Sequence, residues 1–149
     1  DMAPMIFAKS LLTGKPIKVF NFGEMSRSFT YIDDVIECIE RLIKKPATSD
    51  KSFDKNNPNP ATSWCPHRIF NIGNSKSIKL EDFIAFLESE IGMKAIKEYK
   101  DMQLGDIKDT LADNKLLQDW IGEWPETPLS DGITKFIAWY KDYYGRKMI

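Results

Sequence analysis

The chain has 149 residues, 42% of them apolar and 12% aromatic, which fits one domain with a single core and excludes a disordered chain. Its 21 Lys plus Arg against 22 Asp plus Glu leave a net charge of −1, so no electrostatic excess exists to grip a nucleic acid or an anionic membrane. No apolar run approaches the roughly 18 residues of a spanning helix and no signal-peptide pattern is visible. Two cysteines and one histidine are too few for a zinc cluster. The composition reads as a cytosolic core, in which Cys38 is a buried apolar residue; a Cys38–Cys65 disulfide stays open. The chain opens on Asp1 and enters a helical pattern at once, so we expect it to begin inside a longer protein, a trimmed tag or cleaved leader being the alternative.

Met5, Ile6, Ala8, Leu11 and Leu12 recur at helical spacing until Gly14 stops the helix. A short strand follows at 17–20, then a loop at 21–28. Phe29-Thr30-Tyr31-Ile32 alternates as a strand would, and Asp33 or Asp34 is the expected cap of the next helix. That helix carries Val35, Ile36, Ile39, Leu42 and Ile43 on its apolar face. Residues 46–66 have no periodicity and are rich in Ser, Asp, Asn and Pro. They predict a mobile surface insertion, pinned at its far end by Trp64.

Residues 68–73 predict a strand ending at Gly73. A helix follows with Leu80, Phe83, Ile84, Leu87 and Ile91 on one face, closed by Gly92. A short strand is expected at 95–99 and an extended piece at 110–112. Asp113 is the expected cap of a helix with Leu116, Leu117 and Trp120. The last helix has Thr127 as N-cap, Pro128 at its first position, and Leu129, Ile133, Phe136, Ile137, Tyr140 and Tyr144 on one face. About five helices alternate with short strands, so the class is α/β or α+β.

No strand–Gly-x-x-Gly-x-x-Gly–helix pattern, phosphate loop, nucleophile elbow or His-Glu-x-x-His is present. His67 follows Pro66 beside the insertion and reads as solvated. Tyr143 and Lys147 have Tyr-x-x-x-Lys spacing, but they fall at the tail of the last helix and read as solvent-facing. Arg27 stands between a Gly-containing loop and an extended segment, where a guanidinium can fork onto a phosphate.

Phe20 to Asp34, FNFGEMSRSFTYIDD, resembles the Arg-(Asp/Ser)-Phe-x-Tyr-(Ile/Val)-Asp-Asp signature of nucleotide-sugar epimerases and dehydratases, which are extended short-chain dehydrogenase/reductases. Gly14 to Phe20 is similar to that family's Gly-(Lys/Arg)-Pro-x-x-(Val/Ile)-(Tyr/Phe), and Phe70 to Gly73 to its (Tyr/Phe)-Asn-Ile-Gly. Met102 to Ile107 with Ala112-Asp113 is similar to its x-(Arg/Gln)-Pro-Gly-Asp-Val…Ala-Asp, and Trp139-Tyr140 to its C-terminal aromatic pair. The motifs come in the family's order and cover nearly the whole chain outside 46–66. The opening Asp1-Met2-Ala3 and the Met102-Gln103 pair look closest to the UDP-glucuronate 4-epimerase branch.

The resemblance implies a C-terminal substrate-binding lobe over residues 1–149, with the NAD-binding Rossmann half absent. It implies a UDP-sugar ligand and 4-epimerisation through a 4-keto sugar, with NAD and the catalytic Tyr-x-x-x-Lys held upstream. No catalytic, cofactor-binding or metal residue is then expected in this chain, and the chain alone is expected to be inactive. Arg27 should meet the diphosphate, Lys18 and Phe20 should frame the base, and Asp106 should accept from the ribose hydroxyls. Gln103, where many relatives have Arg, can still donate to phosphate but supplies no charge. Leu104 replaces the usual Pro, and Lys79 stands where relatives often have a Ser/Thr helix cap. The implied whole enzyme is a cytoplasmic homodimer, and this piece alone a monomer. Apolar faces around Val35, Ile39, Leu42 and Phe70 should be uncovered without the missing half. A dehydratase or decarboxylating synthase on the same scaffold, or a free-standing nucleotide-binding module, are the alternatives.

Overall fold

The structure, a computed structural model, describes residues 2–145. Five helices and four short strands are assigned among them. In chain order they are α1 (Ala3–Leu12), β1 (Ile17–Phe20), β2 (Ser26–Arg27), α2 (Ile32–Lys44), β3 (Ile78–Lys79), α3 (Leu80–Ile91), β4 (Lys97–Lys100), α4 (Lys115–Ile121) and α5 (Leu129–Gly145). The helix count and the mixed α/β class agree with the sequence reading. Two compact units result. One comprises residues 2–29, 76–111 and 127–145, and the other Thr30–Ser75 with Ala112–Glu126.

The first unit holds the main apolar core. Phe7, Ala8 and Leu11 of α1, Ile17 and Val19 of β1, Phe83, Ile84 and Leu87 of α3, and Ile133, Ile137 and Tyr140 of α5 are all buried together. The helical stripes of α3 and α5 therefore face inward as their spacing predicts. In α1 the register differs: Phe7 enters the core while Ile6 is exposed. β1 pairs with β4 in parallel, Ile17 opposite Lys97 and Phe20 opposite Lys100, and β2 pairs antiparallel with β3. α1 ends where Gly14 turns left-handed at φ 64°. Lys79 gives α3 no side-chain cap, and Glu81 and Asp82 in the first turn face the helix dipole instead.

Two expected strands do not form. Residues 29–31 are irregular, because Phe29 stacks on Phe83 with ring centroids 4.5 Å apart instead of joining a ladder. α2 accordingly begins at Ile32 with Tyr31 as N-cap, so Asp33 and Asp34 sit in its first turn and do not cap it. Residues 68–73 make one bridge, Arg68 to Thr62. The backbone of Gly73 is satisfied by the Asn114 amide, which accepts from its N–H at 3.1 Å and donates to its carbonyl at 2.6 Å. A side chain thus does there what a neighbouring strand would do.

Smaller shifts follow the same logic. β4 runs 97–100 instead of 95–99, and α5 starts at Leu129, with Pro128 carbonyl accepting from Gly132 N–H at 3.1 Å. Asn114 is the N-cap residue of α4, while the Asp113 carboxylate accepts from Lys115 N–H at 3.0 Å. The insertion is a chain of local turns: the carboxylates of Asp50 and Asp54 and the amide oxygen of Asn59 each accept a backbone N–H two residues on. Trp64 is exposed and pins nothing; Arg68 instead lies over the Trp120 ring, 5.6 Å from its centroid. Both cysteines are free, Cys38 buried and Cys65 exposed. Burial pushes the Cys38 thiol above its ordinary value. Tyr143 belongs to α5 and is exposed, whereas Lys147 lies outside the described residues. No helix among the described residues is long and apolar enough to cross a membrane.

Candidate functional site

The strand alternation of β1 decides where the site lies. Ile17 and Val19 point into the core, so Lys18 and Phe20 must face the other way. There they meet a cleft of about 740 Å³ within the first unit. Lys18, Phe20, Arg27, Gln103 and Asp106 all line it, so the five residues expected to touch the ligand share one concavity.

Arg27 is held at the cleft by β2 and by the loop after β4. Its Nη1 donates to the Ser26 and Lys108 carbonyls, both at 2.8 Å, and its Nη2 donates to Asp106 Oδ1 at 2.9 Å. A guanidinium has five N–H donors; these three bonds use both Nη1–H groups and one Nη2–H. Asp106 Oδ1 also accepts from Ile107 N–H at 2.8 Å, so both bonds use the same carboxylate oxygen. Both side chains are about one-third exposed, so solvent reaches the pair.

The loop that carries Gln103 and Asp106 closes on itself. Asp106 N–H donates to the Gln103 carbonyl at 3.2 Å, and Gly105 between them is left-handed at φ 83°. A four-residue turn with φ > 0 at its third position requires glycine there and favours proline at its second. Leu104 occupies that second position, fully exposed, so the turn forms without the proline's stiffening.

The sequence reading missed the apolar wall. Ile6, Met25, Phe29 and Leu80 line the same cleft. Ile6 falls in the helical stripe of α1, and Phe29 lies in the motif itself, where its aromatic side chain is the signal that could have found this wall. The site is thus amphipathic, with two cations, one carboxylate and one amide against a hydrophobic floor, which suits an anionic ligand with a flat ring.

A dinucleotide does not fit these residues. Among the described residues the one parallel pair is β1–β4, and neither strand leads through a glycine-rich turn into a helix N-terminus. Nor does any group of three or more His, Cys, Asp or Glu side chains among them come together to hold a metal ion.

Comparison with known proteins identifies the architecture. The profile of the NAD dependent epimerase/dehydratase family matches residues 2–73. The UDP-glucuronic acid 4-epimerase of Bacillus cereus, solved with UDP-glucuronic acid and NAD, superposes with a TM-score of 0.75 at 28% identity over 97% of this chain and 41% of that one. Protein CapI of Staphylococcus aureus is 41% identical over 97% of this chain and 43% of its own length. A probable UDP-glucuronate 4-epimerase of Rhizobium meliloti (strain 1021) is 34% identical over 98% of this chain and 43% of its own length. The chain belongs to the NAD-dependent epimerase/dehydratase family and has the fold of the C-terminal portion of its extended short-chain dehydrogenase/reductase members. It spans less than half the length of the relatives it matches.

Proposed function

We propose that this chain is the UDP-sugar-binding portion of an NAD-dependent nucleotide-sugar epimerase that inverts C4 of UDP-glucuronate. The observation that carries the reading is the convergence of Lys18, Phe20, Arg27, Gln103 and Asp106 on one cleft. Arg27 offers its remaining donors to the diphosphate, and Gln103 adds a neutral amide donor. Lys18 and Phe20 frame the uracil, and Asp106 accepts from the ribose. The chemistry at C4, and the NAD that serves it, belong to the part of the protein outside this chain. The whole protein is read as a cytoplasmic homodimer and the isolated chain as a monomer, which light scattering on each would check.

The test is a titration of UDP into the isotopically labelled chain. Saturable binding should shift the amides of Lys18, Phe20, Arg27 and Asp106, and uridine alone should bind more weakly because it lacks the diphosphate. Shifts clustered elsewhere, or none at millimolar UDP, would overturn the reading.

A further inference from the structure

The turn after β1 is left-handed at three successive residues: Asn21 at φ 48°, Phe22 at φ 52° and Gly23 at φ 83°. Only glycine adopts this region without a steric cost, so Asn21 and Phe22 hold it because their surroundings enforce it. The Phe22 ring is 60% exposed, so its own packing is not the cause. Inside the turn, Asn21 Nδ2 donates to the Glu24 carbonyl at 2.7 Å, and Glu24 N–H donates to the Asn21 carbonyl at 2.8 Å.

The rest of the restraint comes from Glu81. Its side chain fills the space where Gly23 lacks a Cβ: an atom built there would lie 2.8 Å from Glu81 Oε1 and 3.1 Å from its Cγ. Glu81 is itself fixed by β4, accepting from Lys97 Nζ at 2.6 Å and from Tyr99 Oη–H at 3.1 Å. One step along the chain, Leu80 N–H donates to the Met25 carbonyl at 2.9 Å. The braced turn is therefore flanked by two residues of the cleft wall, Phe20 before it and Met25 after it.

We propose that Glu81 is a positioning residue for the nucleoside: held by Lys97 and Tyr99, it braces the left-handed turn and so fixes the Phe20–Met25 wall against which the base packs. Glu81 is not among the residues lining the cleft, and it acts only through the turn. The electrostatics agree with a lasting brace. Burial lowers the Lys97 ammonium, but its bond and attraction to Glu81 outweigh this and raise it overall, and the bond to Glu81 raises the Tyr99 hydroxyl. Both donors keep their protons through neutral pH.

The inference rests on the UDP-binding reading, and the experiment separates the two. UDP, uridine and ADP are titrated against the wild-type chain and against Glu81→Ala, Glu81→Gln and Tyr99→Phe, each with a thermal melt. Glu81→Ala should weaken UDP and uridine alike, by about tenfold, and narrow the preference for UDP over ADP, because the wall that fits a pyrimidine loosens. Glu81→Gln keeps the volume against Gly23 and one acceptor oxygen, so it should recover most of the loss. If Glu81→Ala fails to fold, Tyr99→Phe removes a single hydroxyl and should still narrow the UDP:ADP ratio. A lowered melting temperature with unchanged UDP affinity and unchanged UDP:ADP ratio would show Glu81 to be merely structural and overturn the inference. Failure of the wild-type chain to bind UDP would overturn the functional reading and this inference with it.

Discussion

At the scale of single residues, Arg27 joins sequence to function most directly. A hydrogen bond to a charged group contributes roughly 1.5–3 kcal/mol, so Arg27→Ala should weaken UDP by about 10- to 150-fold and leave uridine unaffected. Arg27→Lys should recover part of this, since an ammonium cannot fork. The bond from Nη2 to Asp106 adds a second expectation. Asp106 orients the guanidinium, so Arg27→Ala should cost less in an Asp106→Asn background than in the wild type. Strictly additive losses would show that the pair does not act as a unit. The candidates themselves were legible because each sits at a fixed place in a short motif. The pairing was not, since Arg27 and Asp106 are 79 residues apart, and nothing in the sequence joins β2 to the loop after β4.

A second residue-scale prediction concerns acid stability. Glu88 is almost fully buried near the end of α3, where it accepts from Ala95 N–H at 2.9 Å and Lys94 Nζ at 2.7 Å. Burial raises its carboxyl, but the bonds from Lys94 and Ala95 outweigh burial and bring it below the ordinary value of 4.5. A carboxyl lowered on folding stabilises the native state above its ordinary value, and this is lost as pH falls through the lowered one. Glu88→Gln should therefore melt lower than wild type at neutral pH, with the gap closing in acid. A gap independent of pH would argue that only shape matters there.

At the scale of elements, helices were read well and strands poorly. The stripes of α3 and α5 occur in the core residue for residue, because a helix satisfies its own backbone and needs only a face. A strand needs a neighbour, which a local pattern cannot supply. Residues 68–73 have the composition of a buried strand and find one bridge at Arg68 and an asparagine side chain at Gly73. α2 shows the same deficit from the other side. Ile32, Ile36, Ile39 and Ile43, spaced as one stripe, are 58%, 54%, 42% and 75% exposed. Val35, Leu42 and Phe70 are only half-buried, so the apolar face expected from the resemblance is present in this chain. Replacing Ile36 and Ile43 by Ser should change the stability of the isolated chain by no more than about 0.5 kcal/mol each, as read from thermal melts. A large loss of stability would mean that the chain covers this face itself. The insertion should be equally tolerant. Its hydrogen bonds are mostly local turns, so joining residue 50 to residue 63 through a short Gly-Ser link should shift the melting temperature by little. The tethers lost are the bridge between Thr62 and Arg68 and the bond from Ile69 N–H to the Ala61 carbonyl at 3.1 Å.

At the scale of the whole molecule, the expected outcome is binding without turnover. A hydride acceptor needs a dinucleotide held on the N-terminus of a helix by a glycine-rich turn that follows a parallel strand. In this chain β1 runs into the left-handed turn at Asn21–Gly23, and β4 runs into the loop that presents Gln103 and Asp106. Both strand ends thus lead into segments that flank the cleft, and neither opens a helix through a glycine-rich turn. The cleft offers Arg27, Lys18, Asp106 and Gln103, all of which the proposed reading assigns to the nucleotide. Incubating the purified chain with NAD and UDP-glucuronate should therefore leave the sugar unchanged, while titration shows UDP-glucuronate bound and displaced by UDP. Supplying the remainder of the full-length protein should restore epimerisation, and Arg27→Ala in that setting should raise KM for UDP-glucuronate more than it lowers kcat, because the contact is to diphosphate and not to the reacting carbon. Detection of UDP-galacturonate above the protein-free control, by chromatography of the nucleotide-sugars, would show that this chain carries its own chemistry and that the division of labour drawn here is wrong.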